Sequence, residues 1–524
     1  MLTRRHLMGL MAAAALVRPA RAAAPQRTPG AAPLVFADPV PFSWSDLLAR
    51  ARRMREEPYA PAVDPAPEIL ARIGYEQHHA IYQPVGGGMF VAPDRDGIVT
   101  AFHLGELFRK PVRLNRLEDG MAHELLYRHE YFSYPEGHPA DDMPPGAGFA
   151  GFRVHEPWIG GGQAGDWLVF LGASYFRSSG DLKQYGISAR GIAVDTAIGA
   201  DGDEEFPDFT EFWISEMSGG LMTIYALLDG PSVTGAFRFE VRHFPNVVMD
   251  VTARVFLRED VRRFGVAPLT SMYWYSQEKR WAPGDWRPEV HDSDGLLVRT
   301  GQGAHLWRPL TNPPEVSVVS FPLPRNSGFG LMQRDRNYDH YQDREAFERR
   351  PNLWVEPVSG FEAGEVQLVE LPTRVEYGDN IVAFFVPSAP ATAGSDFHFR
   401  YRLHWSGEEP ETRDARLRDF RLGPPRRNDG ATPPRLEHKV IADFVGGSLA
   451  GRDPRWASAR LQISRGFAFQ PSLTRIENRD DGWRLQFDLF SRGPEPVDIE
   501  IVLRAGRDAL SEPTVLRVWP EQDL

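Results

Sequence analysis

Two short stretches of the chain gather carboxylates where a reaction could use them. In WRPEVHDSDGL, Glu289, His291, Asp292 and Asp294 are crowded together and run into an expected turn at Gly295. In EYGDNIVAFF, Glu376 and Asp379 stand immediately before an apolar run, which would place both carboxylates at the mouth of a strand. Paired carboxylates in unequal surroundings suit glycosidic bond cleavage: a protonated one delivers a proton to the leaving oxygen, and an ionised one activates water. Trp, Tyr and Arg nearby would add sugar stacking and hydroxyl recognition. The structural alternative is that Asp292 and Asp294 cap a turn and Asp379 caps a strand end. Spacing by itself leaves both readings open.

A third stretch, DRNYDHYQD from Asp335 to Asp343, imitates the start of a calcium loop. It lacks the glycine required at the sixth position, where His340 stands, and the glutamate at the twelfth, where Ala346 stands. It is therefore read as a polar loop beside a cleft, and no metal is expected. The chain has no Walker A motif, no G-x-S-x-G elbow and no H-E-x-x-H, and Gly86-Gly87-Gly88 does not fit a dinucleotide fingerprint. No cofactor is expected. With Cys 0, thiolate catalysis, disulfides and thiolate-bound metals are excluded together.

The elements that must hold these residues are mostly strands. Early on, Ser45-Asp46 serves as a cap ahead of apolar positions Leu47, Leu48, Ala51 and Met54, a helical pattern, and a second short helix is expected from Pro67. Beyond about residue 78 the chain turns to short aromatic and β-branched runs, such as DWLVFLGASYF, GAFRFEVRHF, VQLVELP and NIVAFFVP, separated by Gly, Pro and Asp. Gly 48 and Pro 45 among 524 residues supply the turns. No helical period recurs between the runs, so a doubly wound α/β sheet is disfavoured and a large β-sandwich is expected. After the Pro-rich interruption RLGPPRRNDGATPPRL, the strand spacing suits a small immunoglobulin-like sandwich. The expected division is a leader over 1–22, a catalytic β unit over 34–405, a linker over 406–436 and the small sandwich over 437–524.

The leader carries Arg4-Arg5, an apolar stretch from Leu7 to Val17 and Ala20-Arg21-Ala22 as a cleavage site, the pattern of a Tat-type export signal. Its apolar part is shorter than the roughly 20 residues that span a bilayer, so no stable membrane insertion is expected. The formal net charge is −12, and loss of the leader's arginines leaves the mature chain more acidic still, which argues against a nucleic-acid partner.

Nine ordered blocks make the chain recognisable: FLGASYFR, QYGISARGIA, FPDFTEFWI, LDGPSVTGAFRF, GVAPLTSMYW, WRPEVHDSDGL, GFGLMQRDRNYDHYQD, RRPNLWVEP and GDNIVAFFVP. Over nearly the whole mature length they resemble the periplasmic glucan biosynthesis family, OpgG and OpgD (also called MdoG and MdoD), and the Tat-like leader favours the OpgD branch. The resemblance implies a mainly β fold, a galactose-mutarotase-like super-sandwich followed by an immunoglobulin-like domain. It implies action on β-1,2-linked glucan in the periplasm by an inverting glycoside hydrolase or a related cyclising transglycosylase. The alternative is a non-catalytic glucan-binding or scaffold protein that assists backbone synthesis or branching. The family's general acid falls on Asp379 and its preceding glutamate on Glu376. The proton-accepting aspartate falls on Asp292, with Asp294 as the alternative, and water activation runs through a relay. Where the family often has Asn before its acid, this chain has Gly378.

Supporting positions follow from the same loops. Glu289 and His291, then Arg334, Asp335, Arg336, Tyr338, His340 and Tyr341, with Trp354 and Glu356 beyond them, are candidates to line a glucan cleft. Arginines would hold hydroxyls or orient carboxylates, and tyrosines would pack on sugar faces. For each of them a purely structural role competes on equal terms. The carboxy-terminal sandwich is expected to brace the cleft or to mediate contacts in a homodimer.

Overall fold

The computed structural model describes residues 32–91, 97–156, 165–198, 204–279, 285–300, 303–325, 327–423, 436–491 and 493–519. The leader expected over 1–22, and residues 424–435 of the expected linker, lie outside the described residues. Among the described residues no helix is long and apolar enough to cross a membrane.

Alternating side chains make the strands. In Val247–Leu257, Val247, Met249, Val251, Ala253 and Val255 are buried while the residues between them stay partly exposed, the two-residue period of a strand with one face on a core. Val233–His243 and Asp396–Ser406 pair with it antiparallel along its length. Continued on both sides, these strands form a 16-stranded sheet, and a 10-stranded sheet packs on its inner face. The larger sheet is mixed, because Asp208–Ser215 runs parallel to Arg113–Glu118. Phenylalanines fill the interface: Phe170 and Phe176 of the smaller sheet meet Phe212 and Phe239 of the larger, with ring centroids 5.2–5.5 Å apart. The expected mainly β sandwich architecture is therefore present.

The helix Trp44–Arg55 lies on the opposite face of the larger sheet, burying Leu47 and Ala51 against Trp213, Leu227, Ala236 and Phe256. Its cap is Ser43, not Ser45: the Ser43 hydroxyl accepts from the Asp46 N–H at 3.1 Å, so the helix begins one residue before the expected cap. The second expected helix is Pro67–Leu70.

Arg416–Gly423 corrects part of the expected linker. It is a strand, paired with Leu436–Val445 and burying Leu417 and Phe420. A register shift between Leu417 and Asp419 breaks the strict alternation, which hides the strand from a period-two reading. This strand joins Leu436–Val445, Gly482–Ser491 and Phe467–Arg475 in a four-stranded sheet. The remaining carboxy-terminal strands extend the large sheet instead, through Thr514 beside Trp307. Between the two layers, Phe444, Trp483, Leu485, Ile499 and Leu516 form one cluster with Leu297, Trp307, Met332 and Trp354 of the larger unit. The two units thus share a core at their junction.

Candidate functional site

The candidate site forms at the end of one fully buried strand, Phe264–Ser271. Ile381–Pro387 and Ser188–Arg190 flank it in the smaller sheet. The next residues, Tyr273–Tyr275, pair with Val290–His291. The two carboxylate stretches are anchored to consecutive residues of this segment. The Asp292 N–H donates to Met272 O at 2.8 Å. The Asn380 side chain clamps Tyr273, its Oδ1 accepting from Tyr273 N at 2.8 Å and its Nδ2 donating to Tyr273 O at 2.9 Å and to Leu371 O at 3.0 Å. An amide side chain here does the work of a paired strand, and it anchors the residue after Asp379 to Tyr273, next in the chain to the Met272 that holds Asp292. Asn380→Ala is expected to cost about 1–3 kcal/mol for each buried backbone group left unpaired, read as a lower urea midpoint at unchanged m value. A loss below about 0.5 kcal/mol would make the amide dispensable.

Asp292 is buried, and Arg350 Nη1 lies 2.5 Å from its Oδ1. That contact is an ion pair without hydrogen-bond alignment, since Oδ1 has no aligned donor. Burial pushes the Asp292 carboxyl up and Arg350 opposes the rise. Arg177, itself buried, acts electrostatically on both Asp292 and Asp379, and Arg190 acts on Asp379. These guanidiniums allow two carboxylates to share a water-poor corner. Glu376 is held by Arg287 at 2.6 Å, and the same guanidinium pairs with Asp285 at 2.8 Å and Asp343 at 3.1 Å. One arginine therefore ties three loops together at the mouth of the site.

Asp294 is occupied differently. Its Oδ2 accepts from the N–H groups of Arg334 at 2.5 Å and Asp335 at 2.7 Å, so it caps the following loop. Burial nevertheless pushes its carboxyl up to about 6. His291 is fully buried, with Nδ1 3.1 Å from Gln333 Oε1 and Nε2 3.2 Å from Glu289 Oε2. Gln333 Nε2 donates to His291 O, Tyr341 Oη and Phe347 O, so its oxygen must face the ring. Both ring nitrogens then act as donors. Burial alone would lower the His291 pKa, but the surrounding carboxylates, Asp294 and Glu289 first, carry it up to about 9.

The other predicted positions divide. Asp335 and His340 are paired directly through Oδ2 and Nδ1. Asp335 Oδ1 caps Asn337 N at 3.0 Å, and Asn337 Oδ1 caps Asp339 N at 3.1 Å at the start of the helix Tyr338–Tyr341. The calcium-like spacing is thus a chain of local caps. Tyr341 is buried, donating to Asp335 O at 3.0 Å, whereas Tyr338 is exposed. Arg336 supports backbone, donating to Glu348 O and Arg350 O at 2.9 and 3.0 Å.

Three expected cleft residues stand elsewhere. Arg334 is buried in the junction between the units, Trp354 packs in the junction cluster, and Glu356 belongs to a surface group with His404 at 2.9 Å and Arg402 at 3.4 Å. Gly295 starts the strand Gly295–Arg299 rather than making a turn. A Cβ there would stand 2.4 Å from the Trp307 ring, so the glycine serves close packing.

The arginines were missed by the reading of single motifs. Arg177, Arg190 and Arg350 each lie within a recognisable block, FLGASYFR, QYGISARGIA and RRPNLWVEP, but Asp292 and Asp379, on which they act, are far away along the chain, and Arg190 is itself paired with Glu204 at 3.0 Å. A cavity of about 270 Å³ lies apart from these carboxylates, lined by Lys110, Tyr175, Phe206, Asp208 and Phe209 among others. Lys110 is paired with Asp208 there, Glu106 is the other acid of its lining, and neither carboxylate stretch reaches it, so the buried carboxylates remain the better chemical candidate.

Known proteins resemble the chain over nearly its whole length. Residues 42–518 match the family described as "Periplasmic glucan biosynthesis protein, MdoG". The chain is 44% identical to "Glucans biosynthesis protein D 2" of Ralstonia nicotianae over 540 aligned residues, covering 100% of this chain and 98% of that protein. It is 38% identical to "Glucans biosynthesis protein D 1" of the same organism, covering 99% of each. It is also 38% identical to "Glucans biosynthesis protein D" of Xanthomonas oryzae pv. oryzae, covering 98% of this chain and 97% of that one.

Proposed function

The chain belongs to the periplasmic glucan biosynthesis family, MdoG, and from that premise we propose that it is a periplasmic enzyme that cuts or transfers β-1,2-linked glucan with inversion. Asp379 is the general acid and Asp292 the entry to the base relay. The observation that carries this reading is the meeting of the two carboxylate stretches on Met272 and Tyr273. Asp294 suits the base less well, because two backbone N–H groups already occupy its Oδ2.

In the proposed step the glycosidic C–O bond breaks as Asp379 gives its proton to the leaving oxygen. A water oxygen bonds to the anomeric carbon from the opposite face, and its proton passes through the relay to Asp292. The Ser293 hydroxyl, 2.5 Å from that of Ser271 and next to Asp292 in the chain, is a nearby hydroxyl for such a relay. A sugar hydroxyl in place of water gives transglycosylation, and ring closure when it belongs to the same chain. Glu376, held by Arg287, orients the loop that carries the acid. The larger unit is assigned to the galactose-mutarotase-like class and the smaller to the immunoglobulin-like class, with the small unit bracing the cleft or joining two copies. The Tat-type leader is the assigned export route.

Incubating the purified protein with linear β-1,2-glucan and weighing the products by mass spectrometry tests the proposal. Shortened chains mean hydrolysis, and masses lower by one water mean cyclisation. An unchanged profile removes the enzymatic reading and leaves the glucan-binding scaffold.

A further inference from the structure

Behind the proposed acid and base lies a second cluster that the reaction does not use. Glu289, Asp335 and His340 each bring one ligand atom to within 4.8 Å of the others. The three come from the segment just before Val290–His291, from the loop at 335–337, where Asp335 Oδ1 accepts from the Asn337 N–H, and from the helix Tyr338–Tyr341 that follows it. Two carboxylates and an imidazole present two negative charges and a nitrogen donor in a pocket that is closed around Glu289, which is 0% exposed, and open at His340, whose side chain is 19% exposed.

The surroundings already orient the donors. Glu289 Oε2 is held by Ser276 Oγ at 3.1 Å and by His291 Nε2 at 3.2 Å, which turns Oε1 towards His340 Nδ1, 3.9 Å away. Asp335 Oδ1 is fixed by the Asn337 N–H. Outer hydrogen bonds of this kind set ligand direction in metal sites. A further, independent group points the same way. Gln277 is 8% exposed, its Nε2 donates to Asp335 Oδ2 at 3.2 Å, and the oxygen of that same amide has no hydrogen-bond partner among the described residues. That unpaired oxygen shares an amide with the nitrogen that reaches Asp335, so turning the amide over brings the oxygen to the cluster and ends its unpaired burial once a cation is present to receive it.

We propose that Glu289, Asp335 and His340, with Gln277 Oε1 as a fourth donor, bind one divalent transition cation, best matched by Zn²⁺. The nitrogen ligand and the small number of donors fit zinc-type coordination. Calcium takes six to eight oxygens, and the Asn337 side-chain oxygen that a calcium loop would use is engaged in capping Asp339. The ion would take the place of the hydrogen bond that joins Asp335 Oδ2 to His340 Nδ1 and would tie the loop carrying Asp292 to the helix Tyr338–Tyr341, as a structural clamp separate from the proton transfers.

The test uses the full chain, stripped with a chelator and titrated with Zn²⁺ alone, and in parallel with Ca²⁺ and Mg²⁺. The expected result is one Zn²⁺ per chain by calorimetry and a rise in Tm of several degrees that EDTA reverses, with no response to Mg²⁺. His340→Ala is expected to weaken Zn²⁺ binding at least 100-fold while keeping the wild-type circular dichroism spectrum. Gln277→Leu, which leaves the three main ligands in place, is expected to weaken it about tenfold. Co²⁺ should give visible absorption bands in the wild type that His340→Ala lacks. Stoichiometric binding that survives His340→Ala, a response to Ca²⁺ with none to Zn²⁺, or no heat and no Tm shift with any ion would each overturn the assignment.

Discussion

Asp379→Asn is expected to lower turnover of linear β-1,2-glucan by roughly 10³-fold, within the range a positioned general acid contributes. The amide has nearly the same shape but no proton of suitable acidity, so the leaving oxygen must depart as an alkoxide. The fold should survive, because the clamp on Tyr273 is made by Asn380 and not by Asp379. Leaving-group dependence separates the two proposed roles. An aryl β-glucoside of the same linkage series, whose leaving group needs little protonation, should lose much less rate in Asp379→Asn than the natural linkage does. Asp292→Asn should remain impaired with both, since water activation is needed in either case. Wild-type turnover in Asp379→Asn would remove this residue from the mechanism.

Arg334→Ala is expected to destabilise the native chain by about 3–5 kcal/mol, the usual cost of breaking a buried ion pair from one side. The guanidinium donates to Glu409 at 3.0 and 3.1 Å and to Glu512 at 2.6 and 3.0 Å, and it stacks 3.5 Å from the Trp307 ring centroid. Removing it strips Glu512 of its paired cation and leaves Glu409 only Arg416, 3.6 Å away, at the seam where the carboxy-terminal strands meet the rest of the chain. Arg334→Lys should recover little, because one ammonium cannot bridge both carboxylates in the planar forked geometry. The pH dependence has a definite sign. Against the penalty of burial, Arg334 holds the Glu409 carboxyl below its usual range, so that stabilisation is present at neutral pH and lost as pH falls through the lowered value. The deficit of Arg334→Ala should therefore shrink in acid. Urea unfolding at neutral and acidic pH measures both effects. A neutral-pH change within about 0.5 kcal/mol would show that the pair contributes nothing.

Much of the fold was legible because a strand with one face on a core repeats every two residues. Residues 247–255 show that repeat without interruption, before Phe256 and Leu257, both buried, close the strand. Where local geometry departs from the repeat, the reading fails. The bulge near Leu417 concealed a strand inside an expected linker, and Ser43 displaced Ser45 as the cap because the helix takes in Trp44. Gly295 was read as a turn because glycine signals turns, yet its requirement is the indole of Trp307 against its backbone. In the site, the carboxylates were legible from residue type and crowding. Their cationic partners were not, because Arg177, Arg350 and Arg287 reach them only through sheet pairing and loop contacts distant in sequence.

The β class, the family through its ordered blocks, and the crowding of carboxylates in two stretches can all be read from the chain alone. These are properties of residue type and local order, which a linear reading retains. Tertiary structure alone decided how the carboxylates divide. It put Asp292 against Arg350, turned Asp294 to cap backbone, moved Arg334 out of the expected cleft into the junction, and gathered Glu289, Asp335 and His340 around one point. Side-chain direction and burial in a sheet protein follow from strand register and from pairings between distant segments, and neither is written in the spacing of neighbouring residues.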